Sequence, residues 1–159
     1  LSWPMLSAAA KRACDERIGH RLHLVLAPMD RIPVRDRSVD LVIAHGIWNL
    51  AQSAAEFRRA VAEAARVALP GAGLFVFTFS RNTLPPEAEP VQGEPFVFTQ
   101  FSGRPQCFLT EVQLRSELGA AGFAPDPGVV FTEYNRPQMG MSLGGGAPAI
   151  YEGAFRSAR

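Results

Sequence analysis

The order of elements along this chain predicts an α/β fold built on a doubly wound, mostly parallel sheet with an antiparallel edge strand. Three observations carry that expectation. Strand-length apolar runs alternate with amphipathic helical stretches, the pattern that places right-handed crossover helices between parallel strands. The run Val39-Asp40-Leu41-Val42-Ile43-Ala44 is apolar enough to be buried on both faces, as parallel strands are. Two further strand patterns, Gly128 to Tyr134 and Ala149 to Phe155, are joined by a flexible link over Met139 to Ala147 and read as a hairpin-like pair, which sets the antiparallel edge.

Each element has its own signal. From Met5 to Glu16 the residues Met5, Leu6, Ala9, Ala10 and Ala13 recur at helical spacing, and Gly19 follows, so a helix is expected with its apolar stripe packed on the sheet. Leu22 to Ala27 reads as a short strand. Pro33 and the polar Arg35-Asp36-Arg37-Ser38 form a turn before the strand from Val39 to Ala44. Ser53 and Glu56 make an S-x-x-E capping box, in which each side chain satisfies a free donor of the first helical turn. Phe57, Val61, Ala64 and Ala68 then share one face, and Pro70 and Gly71 are expected to stop the helix. Leu74 to Phe79 is the next strand. Pro, Gly and scattered aromatics from Ser80 to Phe108 mark a long excursion holding one short strand. Thr110 and Gln113 cap a further helix, with Leu114, Leu118 and Ala121 on its buried stripe and Gly122 at its end.

Composition sets the bounds. The chain has 159 residues, enough for one domain with a buried core, and 47% hydrophobic against 19% charged residues places it in the globular class. A formal net charge of +1 provides no field for nucleic acid or an anionic membrane. The apolar runs are far shorter than the roughly 20 residues that cross a bilayer. Cys14 and Cys107 form no metal-type pair, so no metal is expected and a reducing cytoplasm is the simplest setting.

In open α/β sheets ligands bind beyond the carboxyl ends of the strands, which directs attention to the loops that follow them. The first is Ala27-Pro28-Met29-Asp30, where Asp30 either meets a ligand or caps the turn before Pro33. The second is Ala44-His45-Gly46, where Gly46 lets a ligand approach the backbone closely. His45 is a contact candidate and a weak catalytic candidate, or else a satisfied structural histidine. Trp48 and Asn49 follow as a substrate wall. Phe96, Phe98 and Phe101, and Tyr134 with Arg136 at another strand end, are further wall candidates or ordinary packing residues. Asp36 and Asp40 are read as turn-forming rather than catalytic. The glycines of Leu69-Pro70-Gly71-Ala72-Gly73-Leu74 make a helix-to-strand turn, the reverse of the order in a phosphate-binding loop.

The turn and strand I-P-V-R-D-R-S-V-D-L-V from Ile32, followed by L-P-G-A-G-L from Leu69, resemble the latter half of a class I S-adenosylmethionine-dependent methyltransferase, of the methyltransferase type 11-like kind. Leu1-Ser2-Trp3-Pro4-Met5-Leu6 is similar to the family's D-I-S-x-x-M-L. The resemblance implies a Rossmann-like fold and S-adenosylmethionine as cofactor. It places Leu1 and Ser2 near the adenosine and Met29 and Asp30 at the adenine. Ala44, His45 and Gly46 then lie along the methionine part. Pro28 stands where the family carries an acid, so Asp30 is the expected substitute. The resemblance also implies that a glycine-rich turn and the first two strands are encoded upstream or supplied by another chain, with a homodimer as one way to complete the sheet. The expected activity is methyl transfer to a small-molecule acceptor by in-line displacement, with no nucleic-acid or membrane partner. The alternative is a non-catalytic, methyltransferase-like partner or regulatory subunit. A nicotinamide-dependent oxidoreductase ranks last.

Overall fold

The computed structural model describes residues 2–136 and 147–158. The link expected over Met139 to Ala147 therefore lies outside the described residues except for Ala147, and Leu1 lies outside them too. Helix α1, Trp3–Asp15, starts where Ser2 accepts a hydrogen bond from the Met5 amide and Pro4 occupies the first turn. Its expected burial on the sheet is not found. Ala13 is its one buried residue, while Trp3 and Met5 are exposed.

The strand expected at Leu22 to Ala27 is also absent. These residues join no strand, and Leu22, Leu24, Val25 and Leu26 are exposed. A strand needs a neighbour to satisfy its amides and carbonyls, and none of the described residues supplies one here.

The chain joins the sheet at β1, Val39–His45. The turn before it is clamped by helix α2, Ala54–Val67. Arg66 donates to the Ile32 and Val34 carbonyls at 3.0 and 2.9 Å and pairs with Asp36, while Glu63 accepts from the Ile32 amide at 2.6 Å. Asp36 thus has the structural role expected of it. Ser53 caps α2 through the Glu56 amide, but Glu56 reaches the Gln52 amide instead of that of Ser53, so the box is displaced by one residue. The helix ends at Val67, before the expected stop. Pro70 and Gly71 already belong to β2, Ala68–Phe79, where Gly71 takes a positive φ of 78°.

β1 and β2 run parallel, in register from Leu41 opposite Gly73 to His45 opposite Phe77. β7, Ile150–Ser157, is antiparallel to β2, from Gly73 opposite Arg156 to Phe79 opposite Ile150. It also pairs antiparallel with β5, Phe123–Pro125, and with β6, Thr132–Tyr134. The strand order is β1-β2-β7-β5, with β6 beside β7. The α/β class holds, with one correction: antiparallel pairing is not confined to an edge strand, because β7 lies inside the sheet. The short β5 was not expected. β3 and β4, Val97–Phe98 and Gln106–Cys107, form a small antiparallel pair inside the 80–108 excursion, where one strand was expected.

One face of the sheet carries the core. Ala44, Leu74, Val76, Tyr151 and Phe155 cluster with Phe57, Ala60, Val61 and Ala64 of α2. Leu114 and Leu118 of α3, Glu111–Ala120, join them. Thr110 and Gln113 form the full capping box expected of them, and Gly122 follows at a φ of 95°. On the opposite face Leu41 and Ile43 remain 56% and 61% exposed.

Candidate functional site

The carboxyl ends of β1, β2 and β6 and the start of β7 come together at one end of the sheet, as their registers require. β1 stops at His45. Its ring is exposed and lies flat on Phe77, with centroids 4.3 Å apart and planes at 8°. Gly46 turns the chain with a φ of 63°, its amide donating to the Phe77 carbonyl at 2.8 Å. A Cβ built on Gly46 would meet nothing within 4 Å, so the backbone there faces open space. Ala44 is buried beneath. The second expected loop therefore has an accessible strand end with an open backbone at Gly46.

The first loop is different. Met29 packs against the core, and the Asp30 carboxylate is held by Arg59 of α2 at 3.0 Å. Asp30 thus joins the loop to α2, and its use at an adenine would require sharing that carboxylate. Ser2 uses its hydroxyl to cap α1. These two residues have structural partners, whereas the backbone of the second loop is open at Gly46.

The expected substrate wall divides in the same way. Trp48 is buried edge-on against Phe57, with centroids 6.0 Å apart, so it belongs to the core. Phe96 and Phe98 are likewise core residues. Asn49 is buried, and its Oδ1 has no hydrogen-bond partner. Phe101 is exposed beside Phe79 and Phe108, with centroids at 5.3 and 5.7 Å. Tyr134 is exposed at the end of β6, and Arg136 lies 3.8 Å from Glu133.

Sequence reasoning missed a polar cluster at this same end. Ser80, which follows β2, is fully buried and donates to Glu133 of β6. Asn82 donates its side-chain amide to Glu133 Oε1 at 2.8 Å and its backbone amide to Ser80 Oγ at 3.1 Å. The rule that exposed the other loops applies here too, since Ser80 is where the Leu74–Phe79 run stops. Glu133 was hidden because it sits inside a strand pattern. Among the described residues no group of His, Cys, Asp and Glu could hold a metal ion, and no helix is long and apolar enough to cross a membrane.

The family model of the methyltransferase domain matches residues 1–77, the stretch that holds α1, both expected loops, β1 and most of β2. Over those residues the chain is thus similar to a methyltransferase domain. Solved structures repeat the fold. The [4+2]-cyclase SpnF is similar over 98% of this chain and 64% of its own, with a TM-score of 0.71 and 18% identity. The Burkholderia thailandensis 1,6-didemethyltoxoflavin-N1-methyltransferase, with 1,6-didemethyltoxoflavin and S-adenosylhomocysteine bound, is similar over 100% and 59%, with a TM-score of 0.68 and 17% identity. A Methanosarcina mazei S-adenosylmethionine-dependent methyltransferase covers 84% and 66%, with a TM-score of 0.64 and 17% identity. The chain thus spans about two thirds or less of the length of these structures. No curated protein sequence matches it.

Proposed function

We propose that this chain takes part in methyl transfer from S-adenosylmethionine to a small-molecule acceptor by in-line displacement. The observation that carries the reading is the coincidence of the methyltransferase-domain match with the open strand end at His45 and Gly46. The cofactor supplies an electrophilic methyl group on its sulfonium. The protein's work in such a reaction is to align the two reactants and exclude water, and a base is needed only when the acceptor must lose a proton early. Gly46 would let the cofactor lie against the backbone, and His45, fixed on Phe77, would border it. Phe101 and Tyr134 would line the acceptor side. The Burkholderia neighbour, which holds a small molecule beside S-adenosylhomocysteine, supports an acceptor of that size.

One observation favours the second reading, a non-catalytic partner that keeps the fold. Pro28 stands at the expected acid position and Asp30 is engaged by Arg59. The [4+2]-cyclase among the neighbours also indicates that this fold does not dictate one reaction. Calorimetric titration of the full-length protein with S-adenosylhomocysteine separates the readings. Micromolar binding that is weakened by Gly46→Val, whose side chain would occupy the open strand end, is the expected result. Absence of binding would hand the case to the non-catalytic partner.

A further inference from the structure

The loop between β3 and β4 carries Phe101 and is internally held. The Gly103 amide donates to the Thr99 carbonyl at 2.8 Å, with Gly103 at a φ of 72°. Ser102 donates to the Gln106 side chain at 2.8 Å. Gln100 donates to the Glu89 carbonyl at 2.9 Å and accepts from the Thr99 amide at 3.0 Å. The polar side chains on either side of Phe101 are thus spent on fixing the loop. Its ring meets Phe79 at 5.3 Å and Phe108 at 5.7 Å, at interplanar angles of 60° and 61°. Phe108 in turn stacks on Phe79 at 5.3 Å, and Phe98 meets Phe108 edge-on at 6.1 Å. Phe98 and Phe108 are buried, whereas Phe101 remains 45% exposed on top of them.

A single exposed ring needs no explanation, but this one has neighbours. Strand pairing sets Phe79 opposite Ile150 of β7, and Ile150 opposite Tyr134 of β6. Directly opposed residues share a face, and their strands lie about 4.8 Å apart. Phe79, half-buried Ile150 and Tyr134 therefore follow one another across one face, with the 44% exposed Tyr134 at the far side from Phe101. Phe77 lies two residues before Phe79 and points to the same face, about 7 Å away along β2. It carries the exposed His45 ring. Aromatic and aliphatic side chains thus run without a break from the end of β1 to the end of β6.

We propose that Phe101, Phe79, Ile150 and Tyr134 form an open shelf for a planar aromatic acceptor, with Phe101 as the residue that sets the preference for a flat ring. Aromatic rings attract one another beyond the area they bury, and a saturated ring of equal size gains only the burial. The class of molecule selected is therefore an arene or heteroarene. The shelf adjoins the His45 and Phe77 stack, so a substituent on the bound ring is within reach of the strand end at Gly46. The role of methyl acceptor rests on the methyltransferase reading, whereas the shelf rests on the ring contacts and the strand register.

The test titrates the full-length protein with 2-naphthol and with decahydro-2-naphthol, its saturated counterpart, with and without S-adenosylhomocysteine. Calorimetry gives the affinities, and NMR follows the naphthol protons. 2-Naphthol is expected to bind between about twofold and tenfold more tightly, the worth of one aromatic pair, with upfield shifts from the protein rings. Phe101→Leu keeps an apolar side chain and removes the ring, so it should bring the two affinities together and reduce the upfield shifts. Tyr134→Leu, which makes none of the ring contacts beneath Phe101, should also reduce the preference and keeps the test decisive if Phe101→Leu folds poorly. Equal affinity of the two probes for the wild type, binding of neither, or a preference unchanged in both variants overturns the shelf. S-adenosylhomocysteine binding without a preference for 2-naphthol removes the shelf alone. Ring-dependent naphthol binding by a protein that does not bind S-adenosylhomocysteine removes the methyltransferase reading alone.

Discussion

Cys107 shows how far one side chain's surroundings decide its chemistry. It is fully buried, its Sγ donates to the Ala51 carbonyl at 3.4 Å, and burial pushes its pKa up to about 12, because a thiolate there would lose its hydration. Cys14 is exposed on α1. Only the thiolate reacts with disulfide reagents. With Ellman's reagent at mildly alkaline pH, one cysteine should therefore react quickly and the other only after denaturant is added. Rapid reaction of both would show that Cys107 is not buried in solution. The strand-end rule read from the sequence points to His45, Gly46 and Tyr134, which lie where the ends of β1, β2 and β6 converge. It could not distinguish Trp48, a core residue, from its polar neighbour, because adjacent residues in a 3₁₀ turn diverge in direction. Nor could it find Glu133, whose hydrogen-bond partners Ser80 and Asn82 lie roughly fifty residues earlier along the chain.

At the scale of elements, helices with caps were the most legible, since α2 and α3 begin at the serine and threonine that local chemistry names. What a helix packs on was less legible. The stripe of α1 is a property of that helix alone, while its burial requires a partner surface. The same holds for Leu22 to Ala27, whose composition favours a strand but whose hydrogen bonds need a neighbour. The clamp between α2 and the turn before β1 is a further long-range feature. Glu63 there accepts from Arg66 and from the Ile32 amide, and the Arg66 hydrogen bonds are the main cause holding its carboxyl below the ordinary value of 4.5. A carboxyl depressed on folding adds stability above its unfolded value and loses it as pH falls through the folded one. Glu63→Gln should thus lower the melting temperature near pH 7, and the gap to the wild type should close below pH 4.5. A gap independent of pH would mean that Glu63 acts by packing instead of charge.

For the molecule as a whole, cohesion centres on the face where α2 and α3 meet the sheet. Phe57 is fully buried there and makes edge-on contacts with Trp48 at 6.0 Å and Phe96 at 5.4 Å. Phe57→Ala should cost about 3–5 kcal/mol, measured by urea denaturation, because the two rings packed against Phe57 would face a cavity. A loss below about 1 kcal/mol would show that the site collapses around the cavity. The alternation of strands and helices made the α/β class readable, yet the strand order was not, since nothing local in Ile150–Ser157 says that it will enter the middle of the sheet. That insertion has a consequence for synthesis. β7 is the strand that binds β2 on one side and β5 and β6 on the other. While the chain is emerging from the ribosome, β1 and β2 can pair early, but β5 and β6 have no place to dock until residue 157 has cleared the exit tunnel. The edge of β2 stays open throughout that interval, so a stall or a truncation before β7 would leave a nascent chain for chaperones to shield.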